Sequence, residues 1–262
     1  MSDCIVIIPT YNEKENISEM IEVVMEQPSS FDLLVVDDGS PDGTGALVKE
    51  KMEKYPDRIF IEERSGKLGL GTAYIHGFRW ALKRQYDYIF EMDADFSHNP
   101  ADLNKLYHAC KQEGNDMAIG SRYVTGVNVV NWPMSRVMLS YFASHYVRMV
   151  TGMPINDTTA GFKCYHRSIL ETIHLDEVRF MGYAFQIEMK FLTWKYGFKI
   201  KEVPIIFTDR TRGESKMSSG IIKEAVCGVI QIKIGSLFTT YRRAMDKNGE
   251  LIKTDSLHGT NS

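Results

Sequence analysis

Short apolar runs alternate with amphipathic stretches along the first half of the chain. Runs rich in β-branched residues predict strands, and apolar residues at helical spacing predict helices between them. The predicted strands are residues 4–8, 33–36, 59–62, 86–92 and 117–120. The predicted helices are residues 15–26, 44–54, 69–84 and 100–112. This alternation predicts a doubly wound α/β fold, in which helices cover both faces of a mostly parallel sheet.

The pattern is less regular in the second half of the chain. It predicts helices over residues 135–151 and 183–196, and strands over residues 160–166 and 199–207. No linker rich in proline, glycine or serine interrupts the chain before its polar end. We therefore expect one domain over residues 1–220, and a flexible polar tail over residues 245–262.

Residues 221–244 form an apolar segment that is interrupted by charged residues: Lys223, Glu224, Lys233, Arg242 and Arg243. Its uncharged runs are shorter than the roughly 18 to 20 apolar residues that a membrane-spanning helix needs. One helical stripe carries Ile222, Val226, Val229 and Ile230. The segment is therefore predicted to be an amphipathic element on a membrane surface. The alternative is a helix packed on the domain or against a small membrane partner, because Gly228 and Gly235 weaken an isolated helix.

The composition is that of a globular protein, because 44% of the residues are hydrophobic and 25% are charged. The formal net charge is only -3, so no global positive field favours a nucleic acid as partner. The N-terminus lacks the basic and long apolar stretches of a secretory signal, and we expect a cytoplasmic protein. The cysteines lack the CxxC spacing of metal or redox motifs and are predicted to be buried thiols: Cys4, Cys110, Cys164 and Cys227.

Acidic residues follow two of the predicted strands. Asp93 and Asp95 come directly after one strand, and the pair Asp37 and Asp38 ends another. The ligands of a doubly wound sheet bind at the carboxyl ends of its strands. A lone Asp-x-Asp string is usually a solvated turn, but several carboxylates close together need a compensating cation. The two acidic pairs together predict a site for a divalent metal and a nucleotide.

Two common phosphate-binding motifs are excluded. Gly66-Lys67 is followed by Leu68 instead of serine or threonine, and it lacks the earlier glycine of a P-loop. The string from Gly69 to Gly71 follows a charged loop, and Tyr74 stands where a dinucleotide-binding motif has its third glycine. These two glycines still allow a helix to begin close to a ligand.

Eight short motifs, in register over about residues 3–220, resemble those of a known enzyme family. Five resemble the inverting GT-A glycosyltransferases of family 2: residues 9–13, 35–40, 69–73, 93–95 and 120–123. Three resemble, more narrowly, the dolichyl-phosphate mannosyltransferases, also called polyprenol monophosphomannose synthases: residues 157–162, 182–186 and 209–216. The resemblance implies a GT-A catalytic domain over residues 1–220.

The resemblance also implies roles for individual residues. Those expected to bind the nucleotide-sugar are Pro9, Tyr11, Glu13, Val36, Asp38, Asp93, Ala94, Asp95, Arg122, Arg210 and Lys216. Asp93, Asp95 and Ser97 are expected to hold Mg²⁺ or Mn²⁺. Arg136 and Ser140 are expected to receive the phosphate of the acceptor. The residues expected to carry catalysis are Asp95, Arg122, Arg136 and Arg210.

The implied reaction moves mannose from GDP-mannose to a polyprenyl (dolichyl-type) monophosphate, with inversion to a β-linked mannosyl phosphate. A phosphomonoester, with a second pKa of roughly 6, is already an anionic nucleophile at neutral pH and needs no general base. Glu188 is therefore interpreted as structural.

Two alternatives remain open. One is a polyprenyl-phosphate glucosyl or N-acetylhexosaminyl transferase that uses a UDP-sugar, and the other is a non-catalytic module that binds a nucleotide-sugar. Many relatives add transmembrane helices after this region, whereas this chain ends soon after Ala244. Because a polyprenyl tail stays in the bilayer, we expect peripheral contact with the cytoplasmic face of a membrane.

Overall fold

The computed structural model of the chain describes residues 2–210 and 219–241. The strands are β1 Cys4–Thr10, β2 Asp32–Asp37, β3 Ile59–Glu63, β4 Tyr88–Glu91, β5 Met117–Ser121, β6 Val129–Val130, β7 Lys163–His166, β8 Ile200–Pro204 and β9 Phe207–Thr208. The helices are α1 Ile17–Met25, α2 Thr44–Lys54, α3 Leu70–Lys83, α4 Asp102–Lys111, α5 Met134–Thr151, α6 Arg167–Thr172, α7 Tyr183–Lys195 and α8 Ser219–Leu237.

Seven strands form one sheet in the order β3-β2-β1-β4-β7-β5-β8. All neighbouring pairs are parallel except those of β7, which runs antiparallel to both β4 and β5. The mostly parallel sheet and the single domain are as the sequence predicted. The strand predicted over residues 160–166 is shorter in the structure, where β7 begins at Lys163. The spacing of hydrophobic residues did not predict that β7 runs antiparallel to its neighbours.

A second, two-stranded sheet joins β6 to β9 in parallel. Residues 199–207 were predicted as one strand, but the structure divides them between β8 and β9. Pro204 ends β8, and a proline has no backbone N–H to continue a ladder. The short sheet brings residues 129–130 next to residues 207–208.

The central strands are buried on both faces, because helices cover each side of the sheet. Ile5 and Ile7 of β1 pack in the core layer that contains residues of α3 and α7. Val6 and Ile8 point the other way, into the layer that contains residues of α1 and α4. The alternation of side chains along a strand thus supplies two hydrophobic cores from one apolar run.

Helix α8 packs on the domain. Val229 is fully buried, whereas Val226 and Ile230 are each 44% exposed. The stripe predicted to form one membrane-facing surface is therefore divided between the core and the outside. At Gly228, an added Cβ would lie 2.9 Å from the Phe180 ring, so this glycine permits close packing of the helix.

Two further expectations concern the same part of the chain. Cys227 is exposed, which corrects its prediction as a buried thiol, while the other three cysteines are buried and unpaired. Within residues 2–210 and 219–241, none of the helices combines the length and apolar character needed to cross a bilayer. The predicted tail over residues 245–262 lies outside the described residues.

Candidate active site

A cavity of about 780 Å³ opens at the carboxyl ends of the parallel strands. Most of the predicted site residues line it: Pro9, Tyr11, Glu13, Asp38, Asp93, Ala94, Asp95, Ser97, Arg122, Arg136, Ser140 and Arg210. The helices contribute apolar lining residues: Leu139, Phe142 and Val147 from α5, Ile187 from α7 and Val226 from α8. Val36 is the exception among the described residues, since its side chain is fully buried in the core. Lys216 lies outside the described residues.

The loop after β4 carries the predicted metal ligands. Asp95 accepts hydrogen bonds at Oδ1 from the Ser97 hydroxyl and from the Ser97 N–H. Its Oδ2 lies 2.8 Å from Nη2 of Arg210. No cluster of three or more His, Cys, Asp or Glu side chains suited to a metal occurs in the part of the chain that the structure describes. Two carboxylates and a hydroxyl fit a cation that takes its remaining ligands from substrate phosphate, as Mg²⁺ commonly does.

The side chains of Asp93 and its neighbour His98 have pKa values that differ from their ordinary values. The pKa of the Asp93 carboxyl is raised to about 7, because the surrounding protein reduces its hydration and because the Asp95 carboxylate lies nearby. Its side chain nevertheless remains 40% exposed. Burial lowers the pKa of the His98 imidazole to about 4, so this ring is neutral at physiological pH. His98 stacks on Phe162 at 5.0 Å between ring centroids. It also lines the cavity, and the sequence interpretation had not selected it.

Arg122 is held in place by a carboxylate that the sequence interpretation did not pair with it. Asp157 accepts hydrogen bonds from Nε and Nη2 of Arg122 at 2.7 and 2.6 Å. Thr159 accepts another from Nη2 at 2.8 Å. Burial alone would raise the pKa of Asp157, but Arg122 keeps it below its ordinary value. Asp157 therefore fixes the orientation of the guanidinium, which lines the cavity.

The acidic pair at the end of β2 divides into two different roles. Asp37 accepts hydrogen bonds from the Thr10 hydroxyl at 2.7 Å and from the Ser40 hydroxyl at 2.6 Å. Asp38 lines the cavity, and it accepts a 2.6 Å hydrogen bond from Nε of Arg64. Neighbouring donors and one arginine thus compensate this pair without a metal. Arg64 was missed because nothing in its local sequence indicates a partner 26 positions away.

The predicted acceptor residues lie one helical turn apart on α5. Arg136 places its guanidinium 4.3 Å from the centroid of the Trp132 ring. Its Nη1 donates a 2.9 Å hydrogen bond to Oδ1 of Asp209. The Ser140 hydroxyl is buried, and no hydrogen-bond partner for it occurs within residues 2–210 and 219–241.

Next to the loop after β4 lies a buried polar network that the sequence interpretation did not identify. Lys163 lies 3.1 Å from Oε2 of Glu91. Tyr165 and Gln186 donate hydrogen bonds to the two oxygens of Glu91, at 2.7 and 2.8 Å. Lys163 also donates to Oε1 of Gln186. Because Gln186 lines the cavity, the network extends from the core to the site.

Glu188 lies away from this cavity. Its Oε2 accepts hydrogen bonds from the backbone N–H groups of Arg179 and Phe180, both at 3.0 Å. It lines a separate cavity of about 360 Å³, and burial raises the pKa of its carboxyl. These contacts agree with the structural interpretation of Glu188.

Several known proteins are similar to this chain in sequence or in fold. The polyprenol monophosphomannose synthase of Mycolicibacterium smegmatis is 48% identical over 227 residues, which is 87% of this chain and 85% of that protein. The undecaprenyl-phosphate mannosyltransferase of Micrococcus luteus is 46% identical over 223 residues, which is 85% of this chain and 90% of that protein.

A solved structure of similar fold is that of glucosyl-3-phosphoglycerate synthase from Mycobacterium tuberculosis, in complex with Mn²⁺, UDP-glucose and phosphoglyceric acid. It superposes with a TM-score of 0.64 at 15% identity, over 87% of this chain and 79% of that one. This likeness supports the predicted GT-A fold. The family model for glycosyl transferase family 2 matches residues 5–174. With this match and two close relatives over most of its length, the chain belongs to glycosyl transferase family 2.

Proposed function

We propose that the protein transfers mannose from GDP-mannose to a polyprenyl monophosphate and forms polyprenyl β-mannosyl phosphate. One observation carries the proposal: a single cavity combines the acidic and basic side chains of the strand ends with apolar side chains of α5, α7 and α8. The polar residues suit two phosphate-bearing substrates, and the apolar residues suit the first isoprene units of a lipid. The names of the two close relatives agree with this pairing of substrates.

The donor diphosphate is assigned to the loop after β4. Asp93 and Asp95 would hold a divalent cation, Mg²⁺ or Mn²⁺, with Ser97 beside them. Such a cation supplies positive charge to the leaving diphosphate. Arg210 pairs with Asp95 at 2.8 Å, so its guanidinium lies beside the loop assigned to the diphosphate. Tyr11, Glu13 and Asp38 line the cavity on the nucleoside side.

The pairing of Asp38 with Arg64 favours guanine as the base. Guanine presents two adjacent N–H donors beside a carbonyl oxygen, which complements a carboxylate next to a guanidinium. Uracil presents one N–H between two carbonyl oxygens, so a carboxylate gains one bond there and faces two acceptors. We assign Asp38 to the guanine edge, with Arg64 fixing its orientation through the 2.6 Å hydrogen bond.

The acceptor phosphate is assigned to Arg136 and Ser140. A phosphomonoester oxygen attacks the anomeric carbon on the face opposite to the diphosphate, so the α-linked donor gives a β-linked product. The residues must hold two anions in line against their repulsion. Arg136 supplies charge on the acceptor side, and Arg122 and Arg210 supply it on the donor side. The nucleophile is already anionic, which agrees with the position of Glu188 outside the cavity.

We further propose that the protein docks peripherally on the cytoplasmic face of a membrane. Exposed apolar side chains lie on α5 and at the end of α8: Met134, Met138, Phe142, Met149, Ile234, Leu237 and Phe238. Since both helices also line the cavity, this surface would keep the lipid next to the site. A small membrane partner could cover the same surface. Flotation with anionic liposomes at low salt tests the direct contact, and protein that stays in the soluble fraction would contradict it.

A donor panel tests the reaction itself. Radiolabelled GDP-mannose, GDP-glucose, UDP-glucose and UDP-N-acetylglucosamine are each supplied with one polyprenyl phosphate and Mg²⁺ or Mn²⁺. We expect efficient transfer to the lipid from GDP-mannose alone. A preference for a UDP-sugar would establish the alternative transferase, and nucleotide-sugar binding without transfer from any donor would establish the non-catalytic module.

A further inference from the structure

The guanidinium assigned to the acceptor phosphate already has an anionic partner. Nη1 of Arg136 donates to Oδ1 of Asp209 at 2.9 Å, while its guanidinium lies over the ring of Trp132. The acceptor's phosphate cannot take that N–H without displacing the carboxylate. Asp209 therefore occupies part of the position that the phosphate needs.

Asp209 is fixed by the backbone, whereas Arg136 is not. The Asp209 N–H donates to the carbonyl oxygen of Val130 at 3.0 Å, beside the short sheet of β6 and β9. The N–H of Arg210 donates to Oδ1 of Asp209 at 3.1 Å, which orients the carboxylate. Arg136 reaches it through a long side chain that projects from α5. The guanidinium can therefore change partners while the carboxylate stays in place.

We propose that Asp209 is an internal competitor for Arg136, which keeps the guanidinium paired until a lipid phosphate displaces the carboxylate and pairs with it again when the product leaves. This inference rests on the proposed function, in which Arg136 receives the acceptor phosphate. In this assignment, Asp209 contacts neither the reacting atoms nor the proposed metal ligands Asp93 and Asp95. Its role is to weaken the binding of every anion to Arg136 by a common factor.

The two kinds of lipid phosphate pair with arginine to different extents. A phosphomonoester carries nearly two negative charges at neutral pH and pairs strongly with arginine. A phosphodiester, such as an ordinary anionic lipid, carries one charge and pairs more weakly. A common factor leaves the ratio of these two affinities unchanged, so the monoester remains the tighter ligand while Asp209 lowers the occupancy of Arg136 by both lipids.

The same competition favours release of the product. Glycosyl transfer converts the acceptor from a phosphomonoester into a phosphodiester, as the anomeric carbon forms a bond to a phosphate oxygen and the diphosphate leaves. The lipid thereby loses about one negative charge. Asp209 then recovers Arg136 more readily from the product than from the substrate, and the site is cleared for the next acceptor.

The experiment compares two short lipids in the absence of donor. Calorimetry measures the binding of farnesyl phosphate, a monoester, and farnesyl methyl phosphate, a diester, to the full chain and to Asp209→Asn. Because Arg136 and Asp209 are 28% and 26% exposed in their side chains, the pair is of moderate strength. We expect Asp209→Asn to bind both lipids about fivefold more tightly, a factor in the range of a partly exposed ion pair. Product inhibition should strengthen by a similar factor.

Two further variants separate the inference from other effects. Asp209→Glu keeps the charge and should bind both lipids with affinities close to those of the wild type. Asp176→Asn removes a remote carboxylate that pairs with Arg79, and it should leave both affinities unchanged. Unchanged or weaker binding in a folded Asp209→Asn protein would overturn the competitor role. Arg136→Gln should weaken both lipids. If Arg136→Gln binds both lipids like the wild type, Arg136 does not receive the acceptor phosphate. The proposed roles of Arg136 and Asp209 are then both wrong.

Discussion

Replacing Asp95 with asparagine is expected to lower the turnover number by about a thousandfold, while the protein remains folded. The substitution removes a charge that the proposed cation site requires, yet it leaves an amide oxygen to accept the 3.1 Å hydrogen bond from the Ser97 N–H. It also removes the negative charge that lies 2.8 Å from Nη2 of Arg210. The measurement is the transfer of radiolabelled mannose to the lipid, with thermal unfolding to verify the fold.

The matched control is Asp102→Asn. Asp102 is also buried but pairs with Lys105 at 2.6 Å, and it is not among the cavity residues, so its substitution should leave turnover within about twofold. Full activity of Asp95→Asn, or of the wild type after EDTA treatment, would contradict the assignment.

Metal binding at the proposed site should respond to pH. Since the pKa of Asp93 is about 7 without metal, a cation must displace a proton at lower pH. The affinity for Mn²⁺ should be about tenfold weaker at pH 6 than at pH 8, measured by electron paramagnetic resonance. Equal affinities at the two pH values would mean that Asp93 is not a ligand.

Replacing Lys163 with methionine is expected to lower the free energy of unfolding by about 3 to 5 kcal/mol. Both Lys163 and Glu91 are fully buried, and the substitution leaves the Glu91 carboxylate without its countercharge. The hydrogen bonds from Tyr165 and Gln186 remain, but they do not supply a positive charge. Chemical denaturation at pH 7.5 measures the change.

A second substitution distinguishes the buried charge from lost packing. Adding Glu91→Gln to Lys163→Met removes both charges, so the double variant should recover part of the lost stability. Lys105→Met breaks an ion pair in which the lysine side chain is 61% exposed, and it should cost less than about 1 kcal/mol. A comparably small effect of Lys163→Met would show that the network contributes little to stability.

The elements that the sequence predicted best are those whose burial follows a simple spacing. The apolar run of β1 is buried on both sides of the sheet, and runs of this kind are typical of parallel strands. The direction of β7 could not be predicted, because side chains alternate in the same way along parallel and antiparallel strands. The division of residues 199–207 between β8 and β9 depends on a pairing with residues 129–130, which local sequence does not encode.

The candidate site shows the same limit. The motifs identified most of the residues that line the cavity, because strand ends converge in any doubly wound sheet. Two of the motifs contain Asp157 and Asp209, but the sequence did not indicate which side chains these residues pair with. Arg64, Asp157 and Asp209 each act through a partner at least 26 positions away. A charge pattern within one element contains no information about such pairs.

The reversed strand β7 also sets the order in which the sheet can be assembled. The hydrogen-bonding partners of β5 are β7 and β8, and both are synthesised after it. The free edge of β4 must therefore remain open until β7 is made, since direct pairing with β5 would exclude β7 from the sheet. A chain that folds from its N-terminus can complete β3, β2, β1 and β4 first and must then delay closure. Asp157, which orients Arg122, precedes β7 in the chain. We therefore expect the cavity to reach its final geometry only after β7 has joined the sheet.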